Sequence, residues 1–456
     1  MNLLKANKDD IKNTFKNGDI TVSIFGLGKM GLPLAAVFAD KGAHVIGVDI
    51  NESVVEGINQ RANHINGEPG LSKLVKKNVE CGRLKATLDG IHAANKADIC
   101  VILVPTLTDE NGNIQLEPVK TVAKTISKGL KKGNIVVTEA TMPPGTTESL
   151  IPIFEKGGLK LGEFGLGHAP ERTMSGTAIR DIAGQYPKIV GANNREALDA
   201  LCAIYGIINE KGTIDMPDII SAEAVKVFEG VYRDVNIALA NELAMYCEEK
   251  HISALDIFNA ANSQPFCDIH EPGAGVGGHC IPIYPWFVIN QIKKGEGKLL
   301  RTARDVNDHM PYHIVDLVEK SLMETKNNFN DSNVLILGLT FRGGVKEFTK
   351  TPAKPVINEL KKRGANVFAY DPICNKMDAE RYGAKWKDDF QDIDAIVILT
   401  DHEEFTDIKY EDIKTQLNNK IIVDGRNVLD KNQLKKLGYT YLAVGDLDLR
   451  NNRKMS

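Results

Sequence analysis

The 456-residue sequence lacks any apolar run approaching the roughly 20 residues that cross a bilayer, so no membrane-spanning helix is expected. It also lacks a block of like charge beyond short pieces such as Lys131-Lys132. Its 56 Lys+Arg and 60 Asp+Glu leave a net charge of −4. Nucleic-acid wrappers and polybasic membrane binders carry a basic excess, so neither kind of partner is expected. Cysteine is sparse: seven residues, an odd number, scattered and without a Cys-x-x-Cys pair. That argues against a disulfide framework or a zinc site and for a reducing cytoplasm, with no metal expected. Residues 1–19 are polar and lysine-rich without the apolar centre of a secretory signal, so none is expected. Low-complexity segments and solenoid periods are missing too.

What is present is an ordinary soluble mixture, 43% hydrophobic and 25% charged, long enough for two to four domains. Short β-branched runs at Thr21–Phe25, His44–Val48, Ile99–Val104, Ile135–Thr138 and Lys188–Val190 alternate with helical patterns, which predicts βαβ units on a parallel sheet. From about Asp218 to Lys250 one uninterrupted helix is expected, with Gly230 its only glycine. It is too long for a crossover inside a small domain and reads as a spine joining two lobes.

After residue 325 the first pattern returns. Val334–Leu339 echoes Ser23–Gly28, Asn366–Asp371 echoes His44–Asp49, and Asp394–Leu399 echoes Asp98–Leu103. Three echoes in one order predict an α/β protein of two Rossmann-like, doubly wound domains joined by a central helical domain. The expected boundaries are 1–215, 216–325 and 326–456. Apolar strands ending in Asp are common to α/β domains, so the echo alone does not establish a duplication.

Gly26-Leu27-Gly28-Lys29-Met30-Gly31 follows the first strand and opens the helical pattern Leu32–Lys41. The first glycine permits the turn, the second admits a pyrophosphate, and the third lets helix and strand pack closely. The diphosphate then meets the free N–H groups of the helix start. Asp49, at the end of the second strand, can accept from an adenosine ribose and would repel a 2′-phosphate; Ile50-Asn51-Glu52 offers no arginine to rescue NADP. NAD is the expected cofactor, the alternative being a similar turn that binds something else. In the second copy, Gly338-Leu339-Thr340-Phe341-Arg342-Gly343-Gly344 lacks the fingerprint spacing. Its switch point remains a nucleotide cleft by position, and Arg426 stands there at the end of the strand Ile421–Val423, as a ligand contact or simply a surface arginine.

The densest glycine stretch is Pro272–Pro282, where Gly273, Gly275, Gly277 and Gly278 precede His279-Cys280. Such a loop lets backbone press against a ligand. Its thiol suits a nucleophile that attacks an aldehyde, giving a thiohemiacetal able to yield a second hydride. The competing reading is a bystander cysteine in a glycine-rich turn, with His279 only shaping the loop. The other six cysteines read as small core residues. On the spine, Lys226 lies among Ala222, Val225, Val227 and Phe228, with Gly230 and Arg233 on its face. Such a lysine snorkels or, if desolvated beside substrate, stabilises an oxyanion or takes a proton.

With the glycine fingerprint, the lysine helix and the Gly-Gly-His-Cys loop in one order, the chain resembles the UDP-glucose/GDP-mannose dehydrogenase family from about residue 20 to 445. Pro170-Glu171-Arg172, Tyr232–Glu242 and Gly277–Pro282 look like its UDP-N-acetylhexosamine branch. The resemblance implies an NAD-dependent four-electron oxidation of the sugar C6 alcohol to a carboxylate through a cysteine thiohemiacetal and thioester. It implies a UDP-sugar substrate, expected to be UDP-N-acetyl-D-mannosamine, and a homodimer formed through the central domain. It implies Cys280 as nucleophile, Glu171 positioning or activating water, Lys226 holding the substrate oxygen, and Thr141 near the nicotinamide and water. Lys29, Met30, Thr106 and Arg342 would join Gly26, Gly28, Gly31 and Asp49 at the cofactor. Arg172, Arg233, Asn236 and Tyr284 would meet the sugar nucleotide, together with Gly275, Gly277, Gly278 and Arg426.

Three positions depart from the family pattern. Gly230 stands where an asparagine is usual and Tyr284 where an aspartate is usual, so the Tyr284 ring is expected to fill the space at Gly230 and its hydroxyl to take over the hydrogen bond. Thr349 stands where an arginine is usual, leaving Lys350 or Arg342 to substitute. UDP-N-acetylglucosamine and UDP-glucose remain open as substrates. So do a two-electron hydroxyacid or 6-phosphogluconate-like dehydrogenase and a non-catalytic paralogue that binds NAD or a nucleotide sugar.

Overall fold

The computed structural model describes residues 1–108, 114–325 and 329–447. The chain divides into two compact units, Met1–Glu229 and Gly230–Ser456. In the first, strands β1 (Thr21–Phe25), β2 (His44–Val48), β3 (Leu84–Thr87) and β4 (Ile99–Ile102) are followed by a small antiparallel pair, β5 (Leu107–Thr108) and β6 (Ile114–Gln115). Then come β7 (Ile135–Thr138), β8 (Gly165–His168), β9 (Lys188–Ala192) and β10 (Thr213–Asp215). The main sheet has the order β10-β9-β8-β7-β4-β1-β2-β3, whose middle is the doubly wound arrangement with its crevice beside β1. Strands β1, β4 and β7 are buried almost throughout, as expected of parallel strands covered on both faces. Successive residues point to opposite sides: Val22, Ile24, Ile99 and Val101 enter one apolar layer, Phe25, Cys100 and Ile102 the other.

One strand runs against expectation. β9 is antiparallel to β8, because residues 169–187 return as a loop with short helical turns instead of crossing a face of the sheet.

In the second unit, β11 (Asn333–Leu337), β12 (Asn366–Tyr370), β13 (Lys385–Trp386), β14 (Ala395–Ile398), β15 (Ile421–Asp424), β16 (Thr440–Ala443) and β17 (Asp446–Leu447) form a sheet ordered β13-β12-β11-β14-β15-β16-β17. Only the β16–β17 pairing is antiparallel. Val334 and Ile336 face one apolar layer and Leu335 and Leu337 the other.

The spine helix runs Ile219–Lys250, about 48 Å at 1.5 Å per residue. A second long helix, Lys298–Glu324, carries Pro311 inside it. A buried polar cluster ties it to the Gly230–Lys250 part of the spine. Asn307 Nδ2 donates to the Asp234 carboxylate and carbonyl, both 2.9 Å away; Arg304 pairs with Asp234; and Asn241 Nδ2 donates to Asn307 Oδ1 at 2.9 Å. No described helix is long and apolar enough to cross a membrane.

Candidate active site

In the first unit the candidate residues collect along one edge of the sheet. Gly26 and Gly28 follow β1, Asp49 follows β2, Thr106 follows β4, Thr141 follows β7 and Glu171 follows β8, all at the carboxyl ends of adjacent strands. The three fingerprint glycines have separate physical reasons. Gly26 has φ +100, and a Cβ there would overlap the Leu103 carbonyl oxygen. A Cβ on Gly31 would overlap the Gly26 carbonyl oxygen, so glycine is required for the helix to start this close to the strand. A Cβ on exposed Gly28 would meet nothing within 4 Å, so this backbone faces open space.

The helix Gly31–Asp40 has no side-chain cap, which leaves its first N–H groups for an anion. Asp49 takes the Leu27 N–H on one oxygen and the Asn51 N–H on the other, both at 2.9 Å. Each oxygen keeps a further lone pair, which suits a ribose hydroxyl. Lys29 is exposed beside Gly28, and half-buried Met30 receives the Thr173 hydroxyl on its sulfur. An open Gly28, an uncapped helix start and an acid at the second strand fit NAD.

Thr106 and Thr141 lie together, the Thr106 hydroxyl donating to the Thr141 carbonyl at 2.6 Å. Glu171 accepts from the Thr173 N–H, and its own N–H donates to the Glu139 carbonyl at 3.2 Å, so the strand-end backbone fixes it. Arg172 pairs with Glu229 at 2.9 Å and stacks 4.9 Å over the Tyr186 ring. Lys226 is half-buried and makes no ion pair among the described residues. Beneath this edge lies a cluster that sequence reasoning did not assign. Fully buried Glu139 pairs with Lys188 at 2.5 Å and accepts from Tyr205, and burial pushes its carboxyl up. Glu223, one turn before Lys226, is also buried; an acid facing inward on Ala222-Glu223-Ala224 was the available signal.

In the second unit, Cys280 is exposed at the end of the glycine loop, and its carbonyl accepts the N–H groups of Ile283 (3.1 Å) and Tyr284 (3.0 Å). The loop is gripped along its length. Gly273 N–H donates to Asn241 Oδ1 at 2.9 Å. Gly275, at φ +123, lies against Pro311, where a Cβ would come within 3.3 Å. A Cβ on Gly277 would come within 2.5 Å of Phe341 Cβ, and one on Gly278 within 3.1 Å of the Phe341 ring. Gly278 N–H donates to the Thr349 carbonyl at 2.8 Å; His279 pairs with Glu347, and its Nε2 lies 3.0 Å from the Thr349 hydroxyl. Thr349 thus holds the thiol loop by two contacts.

The Tyr284 ring packs directly on Gly230: a Cβ there would overlap ring carbon Cδ2 and lie 3.1 Å from Cγ. Asn236 accepts the His270 N–H (3.0 Å) and donates to the Asp268 carbonyl (2.6 Å), while Arg233 is exposed. Arg426 lies at the carboxyl ends of the second sheet's strands, with Nε on the Leu399 carbonyl (2.9 Å) just after β14 and Nη2 on the Phe341 carbonyl (3.0 Å) in the loop after β11. Arg342 lies 5.8 Å from the Phe341 ring, and its buried Nε has no hydrogen-bond partner. Cys81 corrects one expectation: it is exposed at the end of the helix Leu71–Glu80 and is no core residue.

Residues 20–209, 220–309 and 335–431 match, respectively, the NAD binding, central and UDP binding domains of the UDP-glucose/GDP-mannose dehydrogenase family. The chain belongs to this family. It is an NAD-dependent UDP-sugar dehydrogenase, an oxidoreductase. A UDP-N-acetyl-D-mannosamine dehydrogenase of Methanococcus vannielii is 36% identical over 93% of this chain and 97% of its own. Among solved structures, the UDP-D-ManNAc dehydrogenase of Pyrococcus horikoshii superposes with TM-score 0.82 at 31% identity, covering 93% of this chain and 99% of that one. The NDP-N-acetyl-D-galactosaminuronic acid dehydrogenase of Methanosarcina mazei reaches the same TM-score at 27% identity, covering 97% and 98%.

Proposed function

We propose that the protein oxidises the C6 alcohol of UDP-N-acetyl-D-mannosamine to the carboxylate of UDP-N-acetyl-D-mannosaminuronate, consuming two NAD and one water per sugar. The observation that carries this reading is the exposed thiol of Cys280 at the end of a glycine loop, in a chain whose first sheet carries an open dinucleotide loop. The full-length likeness to UDP-N-acetyl-D-mannosamine dehydrogenases supports the choice of sugar.

Bound NAD supplies the hydride acceptor in each of two oxidations. Lys226 holds the substrate oxygen as the alcohol loses its proton and hydride. The Cys280 thiolate adds to the aldehyde carbon, giving a thiohemiacetal whose C–H leaves as the second hydride and leaves a thioester. Water, oriented by Glu171 and Thr141, attacks the thioester; the C–S bond breaks, the acid departs and the thiol is restored. Arg172, Arg233, Asn236 and Tyr284 serve the sugar nucleotide, as do Gly275, Gly277 and Gly278. Arg426 and Arg342 serve the nucleotide ends of substrate and cofactor.

A homodimer through the central helices is supported by an apolar stripe on the spine. Tyr232, Leu239 and Tyr246, at spacings of seven, are 55%, 49% and 54% exposed, a repeat suited to a second helix. The seven unpaired cysteines fit a reducing cytoplasm.

The deciding experiment measures NADH over a panel of UDP- and GDP-sugars with the wild-type chain and with Cys280→Ser. Two NADH per UDP-N-acetyl-D-mannosamine and loss of the acid product in the variant are expected. Acid formation by Cys280→Ser at the wild-type rate would refute the thioester route, and turnover confined to another sugar would move the substrate.

A further inference from the structure

Glu223 is 1% exposed, and nothing in the reaction above uses it. Its Oε2 accepts the Gly145 N–H at 2.5 Å, while Oε1 accepts the Thr147 N–H at 2.8 Å and the Thr147 hydroxyl at 2.7 Å. The bonded residues close the segment Thr141-Met142-Pro143-Pro144-Gly145-Thr146-Thr147. The two prolines supply no N–H of their own, and Gly145 turns the chain at φ +92. Lys226 follows Glu223 by one helical turn on the same side of the spine.

The contacts continue behind the loop. The Thr147 hydroxyl lies 2.6 Å from that of Thr138, which lies 2.8 Å from His168 Nδ1. Because Thr147 donates to the carboxylate, it accepts from Thr138, and Thr138 accepts from an Nδ1–H of His168. Every donor in the row points toward Glu223.

We propose that Glu223 is a positioning residue of the oxidation, its ionised carboxylate fixing the Thr141–Thr147 loop against the helix turn that carries Lys226. This rests on the reading of Thr141 and Lys226 as reaction residues. Protonation places a hydrogen on an oxygen that already faces N–H or O–H donors, so the neutral acid releases part of the loop.

The charged and titratable groups facing this carboxyl are few. Glu148 on the loop helix disfavours its ionisation, Lys226 shares its own helix, and His168 stands behind the two threonines. Burial lowers His168 to about 3, so its ring stays neutral. Burial raises the Glu223 carboxyl to about 7 against the pull of its three donors. The loop-fixing form therefore fills as pH rises through that value.

The test uses the full chain with NAD and UDP-N-acetyl-D-mannosamine and measures kcat and KM between pH 5.5 and 9, each expected range being about one pH unit either side of the transition. Wild type should show an ascending limb of kcat near neutrality. Glu223→Gln should lose that limb and at least about tenfold in kcat at alkaline pH, with KM for NAD and the melting temperature kept. Thr147→Val removes one donor and should move the limb to higher pH, and it serves equally if the glutamine variant fails to fold. Wild-type kcat with an unmoved limb in either variant overturns the proposal, as does a lowered melting temperature with unchanged kcat of the folded enzyme. Lys226→Ala and Thr141→Ala run in parallel. Full turnover in both would sink the site reading itself, whereas their loss beside a normal Glu223→Gln would sink only the role of Glu223.

Discussion

Each of the two sheets starts its first strand with the same clamp and ends its second with the same acid. Asp98 accepts the Thr21 N–H at 2.9 Å at the foot of β1, and Asp394 accepts the Asn333 N–H at 2.7 Å at the foot of β11. At the other end, Asp49 takes one N–H of the first glycine loop, from Leu27. Asp371 takes the N–H groups of Leu339 (2.8 Å) and Thr340 (3.2 Å), the Thr340 hydroxyl (3.3 Å) and a contact from His402 Nε2 (3.2 Å). The following helix begins at Gly31, five residues beyond Gly26, in one sheet, and at Ala353, fifteen residues beyond Gly338, in the other. A short loop leaves Gly28 bare for a ligand. The longer loop turns its backbone on Asp371 and His402 and extends Thr349 to the thiol loop. One scaffold thus carries two uses of the same turn: exposing backbone to open space, and holding the loop that ends at Cys280.

The sharpest way to break this comparison is at the acids. Asp371 and His402 are both fully buried, and the His402 contact together with the loop N–H groups holds the Asp371 carboxyl well below the ordinary carboxylate range. A depressed folded value contributes stability above the unfolded value near 3.9 and loses it as pH falls through the folded value. Asp371→Asn is expected to cost about 3 kcal/mol at neutral pH and to flatten the acid limb of stability, read by denaturant titration between pH 2 and 7. Asp49→Asn should leave stability within about 1 kcal/mol and weaken NAD instead. Equal stability losses in the two variants would show that the acids do the same job.

The loops themselves give the next test. Nothing lies within 4 Å of a Cβ on Gly28, so Gly28→Ala should fold and melt like wild type while its methyl stands where a pyrophosphate approaches. We expect KM for NAD to rise at least about tenfold, a loss of about 1.4 kcal/mol of binding, with KM for the UDP-sugar unchanged. An unchanged KM for NAD would place the diphosphate elsewhere.

How much of this was legible in the sequence depends on whether the signal was local. The strands ending at Phe25 and Val48, the fingerprint glycines, Asp49 and the echo at Asp371 were legible because apolar runs, turn glycines and strand-end acids act over a few residues. The antiparallel β9 was not, since strand direction depends on where residues 169–187 travel. The contacts of Glu223, Asn241 and Thr349 were not legible either: each acts on backbone 32 to 78 residues away in sequence, and spacing carries no mark of the partner. Cys81 misled because a helical context was read as a core position, whereas this thiol closes the helix Leu71–Glu80 between Glu80 and Arg83, where the end of the helix is solvated.

A smaller effect is expected at Gly230. Because a Cβ there overlaps the Tyr284 ring, Gly230→Ala should cost about 2 kcal/mol through a displaced ring. Since Tyr284 N–H closes the turn on the Cys280 carbonyl, a displaced ring should also slow alkylation of Cys280 by iodoacetamide or change its pH profile. Adding Tyr284→Ala should recover part of the loss, giving a coupling energy of about 1 kcal/mol in a double-mutant cycle. Additive effects would mean that ring and glycine are neighbours without being a unit. Separately, Tyr284→Phe at full turnover would remove any role for the hydroxyl.

The smallest expected effect tests the second loop's grip on the turn that ends at Cys280. Thr349→Val keeps the carbonyl that receives the Gly278 N–H and deletes only the hydroxyl beside His279 Nε2. One hydrogen bond between exposed side chains is worth about 1 kcal/mol at most, so the melting temperature should fall by no more than a few degrees. If that contact orients the turn ending at Cys280, the loss should appear as a fall of up to about fivefold in kcat, with KM for NAD unmoved. A change confined to KM for NAD would mean that Thr349 acts on the cofactor side of its loop, as proposed for Arg342, and not on the turn at Cys280.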